Sequence, residues 1–417
     1  MKILVLNCGS SSVKYKLFDI DSKSVLAQGG AEKIGLEDSF LKLTLPNGEK
    51  VILKTSMPEH HSAIQNILNV LTGKEYGCIE SFDEIDAVGH RVVHGGEKFN
   101  KSVLITDEVI EKIKECYDIA PLHNPVNMAG IEAISKLMPT VPQVGVFDTA
   151  FHQTMPAHAY MYALPYDLYK KYGIRRYGFH GTSHRYVSKR ACEFLGVPYE
   201  KQRIITCHIG NGGSITAIKD GKSVDTSMGM TPVEGLMMGT PIGSKSLQFL
   251  VTTDILWVSA DAGVLTYLMD KEHLDSAGVA NLVNKKSGVA GISGLSSDMR
   301  DIEAGVAAKN ERAILALQMY EYRITKYIGA YAAALGGVDI IVFTGGVGEN
   351  QTITREAVCK PLAFMGVEID PEINKQIHGT ECVISTPASK VKVVVIPTDE
   401  EYMIASDTKA VLSGKMK

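Results

Sequence analysis

The sequence contains no long uncharged apolar run and no large excess of charge of either sign. Its longest apolar segment, 247–258, is interrupted by Thr252, Thr253 and Asp254, whereas a membrane-spanning helix needs roughly 18 apolar residues. The 43 basic and 47 acidic side chains leave a net charge of −4, which provides no positive field for nucleic acid or an anionic membrane. We therefore expect neither as a partner.

Cysteines are few and follow no pattern. The seven cysteines are an odd number, widely spread, without a C-x-x-C pair or a Cys/His cluster at zinc spacing. Scattered thiols of this kind are typical of reduced cytosolic proteins. The apolar run at residues 1–7 is too short for a signal peptide and is predicted to be the first strand. These features predict a cytoplasmic protein.

The usual nucleotide fingerprints are also missing: there is no G-x-x-x-x-G-K-[ST] and no strand-borne G-x-G-x-x-G. Glycine is instead abundant, with 39 residues, and Gly/Ser loops occur within 3–19, within 204–221 and at 344–350. Such loops are either tight hairpins or backbone N–H cradles for anions, and three of them favour a polyphosphate site. Lys14 would then reach a terminal phosphate, or else be a solvated strand lysine.

Apolar β-branched runs mixed with helical patterns predict an α/β fold. The strand–loop–strand units 3–19 and 204–221 resemble each other half a chain apart, which predicts duplicated domains that each open with a β-hairpin. The expected strands are 3–6, 13–18, 87–93, 144–147, 204–207, 215–218, 340–343 and 391–396; the expected helices are 60–71, 107–117, 183–195 and 312–335.

Four polar groups stand at positions typical of a cleft. Arg91 is either a bidentate partner for carboxylate or phosphate or a surface ion pair. Asp148 ends an apolar strand, where α/β active-site carboxylates lie. His123 lies between prolines, and His180 lies in a glycine turn before a helix. Single histidines are more often structural, but several in such turns favour a polar cleft.

Ten motifs are distributed over nearly the whole chain. They are Asn7–Lys14 (NCGSSSVK), Gly89–Glu97 (GHRVVHGGE), Ala120–Pro125 (APLHNP), Val146–Pro156 (VFDTAFHQTMP), Tyr177–His184 (YGFHGTSH), His208–Ser214 (HIGNGGS), Asp225–Thr240 (DTSMGMTPVEGLMMGT), Ser287–Asp301 (SGVAGISGLSSDMRD), Phe343–Asn350 (FTGGVGEN) and Pro397–Glu401 (PTDEE). Together these motifs resemble the acetokinase family. The resemblance implies the acetate and sugar kinase/Hsc70/actin superfamily, whose two RNase H-like domains close around a nucleotide cleft.

By this resemblance, residues 1–150 form the N-terminal domain, with the helix 400–417 packing back on it. Residues 151–399 form the C-terminal nucleotide-binding domain. The family is usually homodimeric, so a homodimer is expected. The expected Mg²⁺ site, with Mn²⁺ as an alternative, consists of Asn7 and Glu400, since Mg²⁺ needs few protein ligands.

The resemblance also implies the remaining site residues. The expected catalytic residues are Arg91, Asp148 and His180, with an orienting or metal-linked role preferred for Asp148 because acetate is already ionised at neutral pH. The expected acetate site consists of Arg91, Val93, Leu122, Phe179 and Pro232. The expected ATP/ADP site consists of Lys14, His208, Ile209, Gly210, Asn211, Gly212, Asp298, Met299, Arg300, Gly346, Val347, Gly348, Glu349 and Asn350.

One segment departs from the family pattern. Pro241 stands where the family has a transition-state arginine, and an atypical insertion follows over 241–260. Three hypotheses compete. In the first, Lys245 supplies the missing positive charge, though as a point donor that cannot copy the planar arginine fork. In the second, the chain is catalytically impaired, since a transition-state arginine contributes about 10³–10⁵-fold to the rate of phosphoryl transfer in other systems. In the third, the segment is a sequence-level anomaly in an ordinary kinase.

The expected function is Mg²⁺-dependent, reversible transfer of a phosphoryl group from ATP to acetate, giving acetyl phosphate and ADP. The alternatives are a nucleotide-binding homologue with impaired catalysis and a propionate or butyrate kinase. The complete apolar pocket favours acetate over longer acids.

Overall fold

A computed structural model of the chain describes residues 1–45, 47–239 and 261–416. The expected insertion at 241–260, with Pro241 and Lys245, lies outside the described residues. The chain divides into two compact units. The first unit consists of residues 1–150 and the C-terminal segment that begins at Asp399, and the second unit is Phe151–Thr398.

The first unit contains an eight-stranded mixed sheet with the order β5-β4-β3-β2-β1-β6-β8-β7. β1 pairs with β2 as an antiparallel hairpin and with β6 in parallel, and β6 pairs in parallel with β8. The strands are β1 Lys2–Gly9, β2 Ser12–Asp19, β3 Ser24–Glu32, β4 Phe40–Thr44, β5 Lys50–Lys54, β6 Ala87–Val92, β7 Val103–Leu104 and β8 Gln143–Phe147.

The second unit contains a six-stranded mixed sheet with the order β11-β10-β9-β12-β14-β13. β9 again forms an antiparallel hairpin with the next strand, β10, and pairs in parallel with β12, which pairs in parallel with β14. Both sheets thus share a hairpin followed by parallel strands, which confirms the predicted duplication. The strands are β9 Arg203–Ile209, β10 Gly213–Lys219, β11 Lys222–Thr226, β12 Ile340–Thr344, β13 Cys382–Val383 and β14 Lys392–Val395.

Helices cover the sheets, and the mixed α/β class is confirmed. The helices are α1 His60–Leu71, α2 Asp107–Lys114, α3 Asn124–Leu137, α4 Ala157–Tyr160, α5 Tyr166–Tyr172, α6 Gly181–Leu195, α7 Ala262–Lys271, α8 Ser276–Asn281, α9 Gly288–Ser293, α10 Met299–Ala307, α11 Glu311–Leu335, α12 Gly345–Asn350, α13 Thr352–Cys359, α14 Pro371–Gln376 and α15 Glu400–Leu412. Short 3₁₀ or π turns cover Phe82–Glu84, Ala150–Thr154, Tyr199–Lys201, Leu282–Lys286 and Lys360–Met365. Among the described residues, no helix is long and apolar enough to cross a membrane.

The C-terminal helix α15 packs on the first sheet. Its residues Ile404 and Ala405 join a buried cluster with Ile3 and Val5 of β1. Gly89 in β6 makes this packing close, because a Cβ there would lie 2.7 Å from Cγ2 of Ile404. The close packing places the N-terminus of α15, and with it Glu400, at the sheet.

Every strand and helix predicted from apolar patterning is present, but the hairpins β3–β4–β5 were not predicted. Gly29 and Gly30 interrupt the apolar pattern of β3. Gly29 is needed there because β4 approaches closely, so that a Cβ would lie 2.3 Å from the carbonyl oxygen of Lys42. Because the close pairing requires glycine here, β3 lacks the continuous apolar side chains from which a strand is predicted.

Candidate active site

The parallel strands of the first sheet bring three polar side chains to one edge. Asn7 lies near the carboxyl end of β1, Arg91 near that of β6, and Asp148 directly after β8. The backbone N–H of Asp148 continues the ladder by donating to the carbonyl oxygen of Val92 at 3.0 Å. Ligands of α/β sheets bind at such carboxyl edges.

Arg91 is the centre of this group. Its Nε donates to both oxygens of Asp148 at 3.1 Å, its Nη2 donates to Oδ2 at 2.5 Å, and its Nη1 donates to Oδ1 of Asn7 at 3.3 Å. Oε2 of Glu400 lies 3.9 Å from Nε. Burial disfavours the guanidinium charge, but Asp148 and Glu400 outweigh it and raise the pKa of Arg91, so the charge is held in place.

Glu400 is the first residue of α15, close to two other carboxylates. Burial raises the pKa of Glu400 to about 7, with the charges of Asp148 and Glu401 adding to the effect and that of Arg91 opposing it. Glu401 is itself paired with Lys16 at 3.2 Å. A half-buried carboxylate beside other carboxylates is a place where a bound cation would relieve repulsion.

Asn7 and Glu400 therefore fit the expected Mg²⁺ site by their donor chemistry. Amide and carboxylate oxygens are the ligands that this hard cation prefers, and Mg²⁺ keeps most of its waters. Within the described part of the chain, no three His, Cys, Asp or Glu side chains form a metal cluster, so these two residues would act with water and nucleotide oxygens. Lys14 on β2 is the direct cross-strand partner of Asn7 and is exposed.

The expected apolar pocket has two members in this unit. Val93 is buried and its backbone N–H donates to Oδ1 of Asn127 at 3.0 Å. Asn127 in turn donates to the carbonyl oxygen of Cys8 at 2.9 Å, which ties Val93 to β1. Leu122 is half-buried just before α3.

The other two expected pocket residues lie in the second unit. Phe179 is buried and precedes His180, whereas Pro232 is half-buried. The segment that carries Pro232 is held by a buried ion pair, since Nη2 of Arg176 lies 2.5 Å from Oε1 of Glu234. Tyr162 donates to the other oxygen of Glu234 at 2.6 Å. This network was not predicted.

His180 caps α6 in an unusual conformation. Its φ of 55° and ψ of 23° are left-handed, and it follows Gly178, where a Cβ would lie 2.3 Å from Cγ2 of Thr226. Its ring stacks on that of His208 with the centroids 4.3 Å apart. A Cβ built on Gly212 would lie 3.5 Å from Nε2 of His180. The side chain is thus held against the glycine loop between β9 and β10, at a cost in backbone strain typical of functional sites.

A buried chain of side chains supports His180. Nδ1 of His180 and Nε2 of His184 share the hydroxyl of Ser214, at 2.9 Å and 2.7 Å, and Nδ1 of His184 contacts the hydroxyl of Thr206 at 2.7 Å. These supporting residues were not predicted. The signal was present, because His184 lies four residues after His180 and therefore on the same helix face, and Ser214 ends the motif His208-IGNGGS.

The glycine loops of the second unit surround β9 and β12. The loop 210–212 closes on itself through a hydrogen bond from Gly210 N–H to the Gly212 carbonyl oxygen at 3.0 Å. Glu349 binds the start of α12 by accepting from Gly345 N–H at 2.8 Å, and it also accepts from Thr398 N–H at 3.1 Å. Asn350 donates to the carbonyl oxygen of Gly346 at 2.9 Å. Glu349 and Asn350 thus shape the loop.

Several expected nucleotide residues have side chains in the core. Ile209, Met299 and Val347 are buried in the main hydrophobic cluster of this unit, so only their backbones can face a ligand. Asp298 caps α10 and its carboxylate accepts from Nη2 of Arg300 at 2.5 Å. That pair lies at the surface, and hydrogen bonding to Arg300 lowers the pKa of Asp298 to about 2.

The repeated hairpin and parallel strands, with polar side chains at their ends, define a mixed α/β protein of the sugar-kinase and actin-like fold. The chain belongs to the acetokinase family, whose profile matches residues 2–406.

Individual relatives agree with the family. The chain is 66% identical over 412 residues to the acetate kinase of Bacteroides fragilis, covering 99% of this chain and all of the relative. The crystal structure of Porphyromonas gingivalis acetate kinase superimposes with a TM-score of 0.92 at 63% identity, covering 99% of both chains. A propionate kinase from Francisella tularensis gives a TM-score of 0.88 at 39% identity, covering 98% of this chain and 99% of that one.

These similarities decide between the alternatives from the sequence. The chain is 66% and 63% identical to these two bacterial acetate kinases and 39% identical to the propionate kinase, so a propionate or butyrate kinase is not favoured. The hypothesis of an impaired homologue, based on Pro241, is not borne out, because the chain matches relatives named acetate kinase along their full length.

Proposed function

We propose that the protein is an acetate kinase that transfers the γ-phosphoryl group of ATP to acetate, reversibly and with Mg²⁺. The observation that carries the proposal is the anchored guanidinium of Arg91. Within the described residues, three of its five N–H groups donate to Asp148 and Asn7. The other two N–H groups remain for a substrate carboxylate. A planar fork of this kind suits a carboxylate ligand.

Asp148 is proposed to orient Arg91 rather than to exchange a proton. Its carboxylate is buried and its oxygens both accept from Arg91. Acetate needs no deprotonation at neutral pH, so a general base has no role in its attack. Val93, Leu122, Phe179 and Pro232 are proposed to bound the methyl group.

The reaction is proposed as direct displacement. A carboxylate oxygen of acetate forms a bond to the γ-phosphorus, the bond from that phosphorus to the β,γ-bridging oxygen breaks, and ADP leaves with the electron pair. His180 is proposed to donate a hydrogen bond to the transferring group, where pre-aimed donors are most effective. Bound Mg²⁺, held by Asn7 and Glu400, would neutralise phosphate charge, and Mn²⁺ is an alternative.

The nucleotide is proposed to bind through Lys14, through the backbone of 208–212 and 346–350, and through 298–300. We also propose that the chain is divided into two domains at residues 150 and 399 and that these domains close on ATP. A homodimer and a cytoplasmic location are part of the same proposal. The cytoplasmic location is supported by the seven cysteines, which are all free thiols.

The test is acetate-dependent formation of acetyl hydroxamate from ATP and Mg²⁺ in the presence of hydroxylamine. We expect activity in the wild type and its loss in Arg91→Ala. Arg190→Ala is the matched control, since Arg190 also forms a close carboxylate pair, with Glu381 at 2.6 Å, but lies outside the site. Wild-type product no greater than that of Arg91→Ala would contradict the proposal.

A further inference from the structure

The side chains behind His180 form one continuous hydrogen-bonded chain in the second unit. It runs from the Thr206 hydroxyl to Nδ1 of His184, from Nε2 of His184 to the Ser214 hydroxyl, and from there to Nδ1 of His180. All three supporting residues are fully buried. Each hydroxyl has one proton and a neutral histidine has one N–H, so the direction of donation along the chain is restricted.

Three patterns of donation are compatible with these contacts. In the first, Thr206 donates to His184, His184 donates to Ser214, and Ser214 donates to Nδ1 of His180. In the second, His180 donates from Nδ1, and every subsequent bond is reversed until His184 donates to Thr206. In the third, Thr206 donates to His184, and both histidines donate to Ser214, whose oxygen can accept twice.

The second and third patterns each leave one buried hydroxyl proton without an acceptor. In the second it is the proton of Thr206, whose hydroxyl contacts His184 alone among the described residues. In the third it is the proton of Ser214, whose hydroxyl contacts only the two histidines within the same part of the chain. A buried donor without a partner costs about 1–3 kcal/mol. The first pattern places every proton of the supporting residues in a hydrogen bond. Burial also lowers the pKa of His184 well below its ordinary value, which keeps that ring neutral as the chain requires.

We propose that Thr206, His184 and Ser214 are positioning residues that fix His180 as the tautomer with its proton on Nε2. The opposite ring nitrogen, Nδ1, is the acceptor from Ser214, so Nε2–H is directed away from Ser214. Nε2 is the ring nitrogen near Gly212. A ring fixed in this way is a donor before any ligand arrives, and its importance for turnover rests on the proposed function.

The direct test is ¹⁵N-histidine NMR on the resting protein without nucleotide or metal, with the His180 signals identified by their loss in His180→Asn. The proposal requires the two-bond ¹H–¹⁵N pattern of the Nε2–H tautomer. A pattern showing the proton on Nδ1 would overturn it. This result does not depend on kinase activity, so the proposal and the proposed function can fail separately.

Three variants test the role of the chain. Thr206→Val keeps the shape but removes the terminal donor, and we expect a mixture of His180 tautomers. Thr206→Ser restores the hydroxyl and is expected to restore the single tautomer. Thr216→Val is the matched control, because Thr216 is the cross-strand neighbour of Thr206. This variant loses a similar buried hydroxyl contact, to Thr226 at 2.9 Å, which is not part of the hydrogen-bonded chain behind His180.

Kinetics supply the second readout. Thr206→Val should lower kcat by about two- to tenfold, the effect of one hydrogen bond, with the KM values for acetate and ATP unchanged. An unaltered His180 tautomer in Thr206→Val, or an equal change in Thr216→Val, would contradict the proposal.

Discussion

Arg91 donates to both oxygens of the Asp148 carboxylate, and the bond from Nη2 to Oδ2 is 2.5 Å long. The two residues come from neighbouring parallel strands and meet at the carboxyl edge of the first sheet. The pair fixes the plane of the guanidinium before a substrate binds. Because orientation of a reacting group contributes strongly to catalysis, the pair is the basis of the first prediction.

Asp148→Asn should keep the size of the side chain but remove the charge and one acceptor. We expect the KM for acetate to rise and kcat to fall, together by about 10²-fold, as for misplacement of a positioned group. Steady-state kinetics with varied acetate measure both. Asp407→Asn is the control, since Asp407 is a buried acid of the same unit that accepts from Ser102. Equal losses in both variants would indicate a general folding defect instead.

The buried pair of Arg176 and Glu234 should be far more important for stability than a surface pair. Glu234→Ala removes the close carboxylate of a largely buried guanidinium and leaves it only Asp225, whose Oδ1 is 4.0 Å from Nε of Arg176, and breaking such a pair costs about 3–5 kcal/mol. Glu381→Ala breaks the partly exposed pair with Arg190 and should cost about 0–1 kcal/mol. Urea unfolding of both variants compares the losses, and similar values would show that burial does not set the strength of the Arg176 pair.

Acidification should destabilise the protein through His90. Burial lowers the pKa of His90 to about 4, although its contact with Gln143 at 2.8 Å opposes the shift. Below the ordinary value of 6.5 the unfolded chain binds a proton that the folded chain does not, so this stability is complete above pH 6.5 and is lost as the pH falls towards 4.

His90→Asn should therefore lose less stability than the wild type between pH 7 and pH 5. The difference expected for 1.5 pH units is about 2 kcal/mol, and urea midpoints at the two pH values measure it. The exposed His158 provides the control variant His158→Asn. Identical pH dependence in His90→Asn and the wild type would show that His90 is not the group responsible.

Substrate length should be limited by the apolar pocket proposed to include Val93. One added methylene changes discrimination by about 1–3 kcal/mol, so propionate should be used less well than acetate, and butyrate less well again. Val93→Ala enlarges the buried site and should raise kcat/KM for propionate relative to acetate. A series of carboxylates on both proteins measures the ratio, and an unchanged ratio would place Val93 outside the pocket.

The sequence predicted features that depend on local patterns. The buried strands β1, β6, β8, β9 and β12 follow directly from apolar runs, and the edge position of Asp148 follows from its place after such a run. The Gly/Ser loops and Lys14 indicated a polyphosphate site by themselves, whereas the role given to Val93 came only from the family resemblance.

Features that depend on distant contacts were missed. The hydroxyl of Thr206 and the ring of His184 are 22 residues apart, and Arg176 and Glu234 are 58 residues apart. Neither pair forms a local pattern, since each exists only after the sheet and its helices have assembled. The same holds for β3, whose glycines are explained by the neighbouring strand.

The central claim is the transfer of a phosphoryl group from ATP to acetate. The most direct measurement is ³¹P NMR of the wild-type chain with ATP, Mg²⁺ and acetate labelled with ¹⁸O in its carboxylate. We predict acetyl phosphate and ADP in equal amounts, with ¹⁸O in the bond between the acetyl group and phosphorus. Unchanged ATP, or its hydrolysis to inorganic phosphate without acetyl phosphate, would contradict the claim.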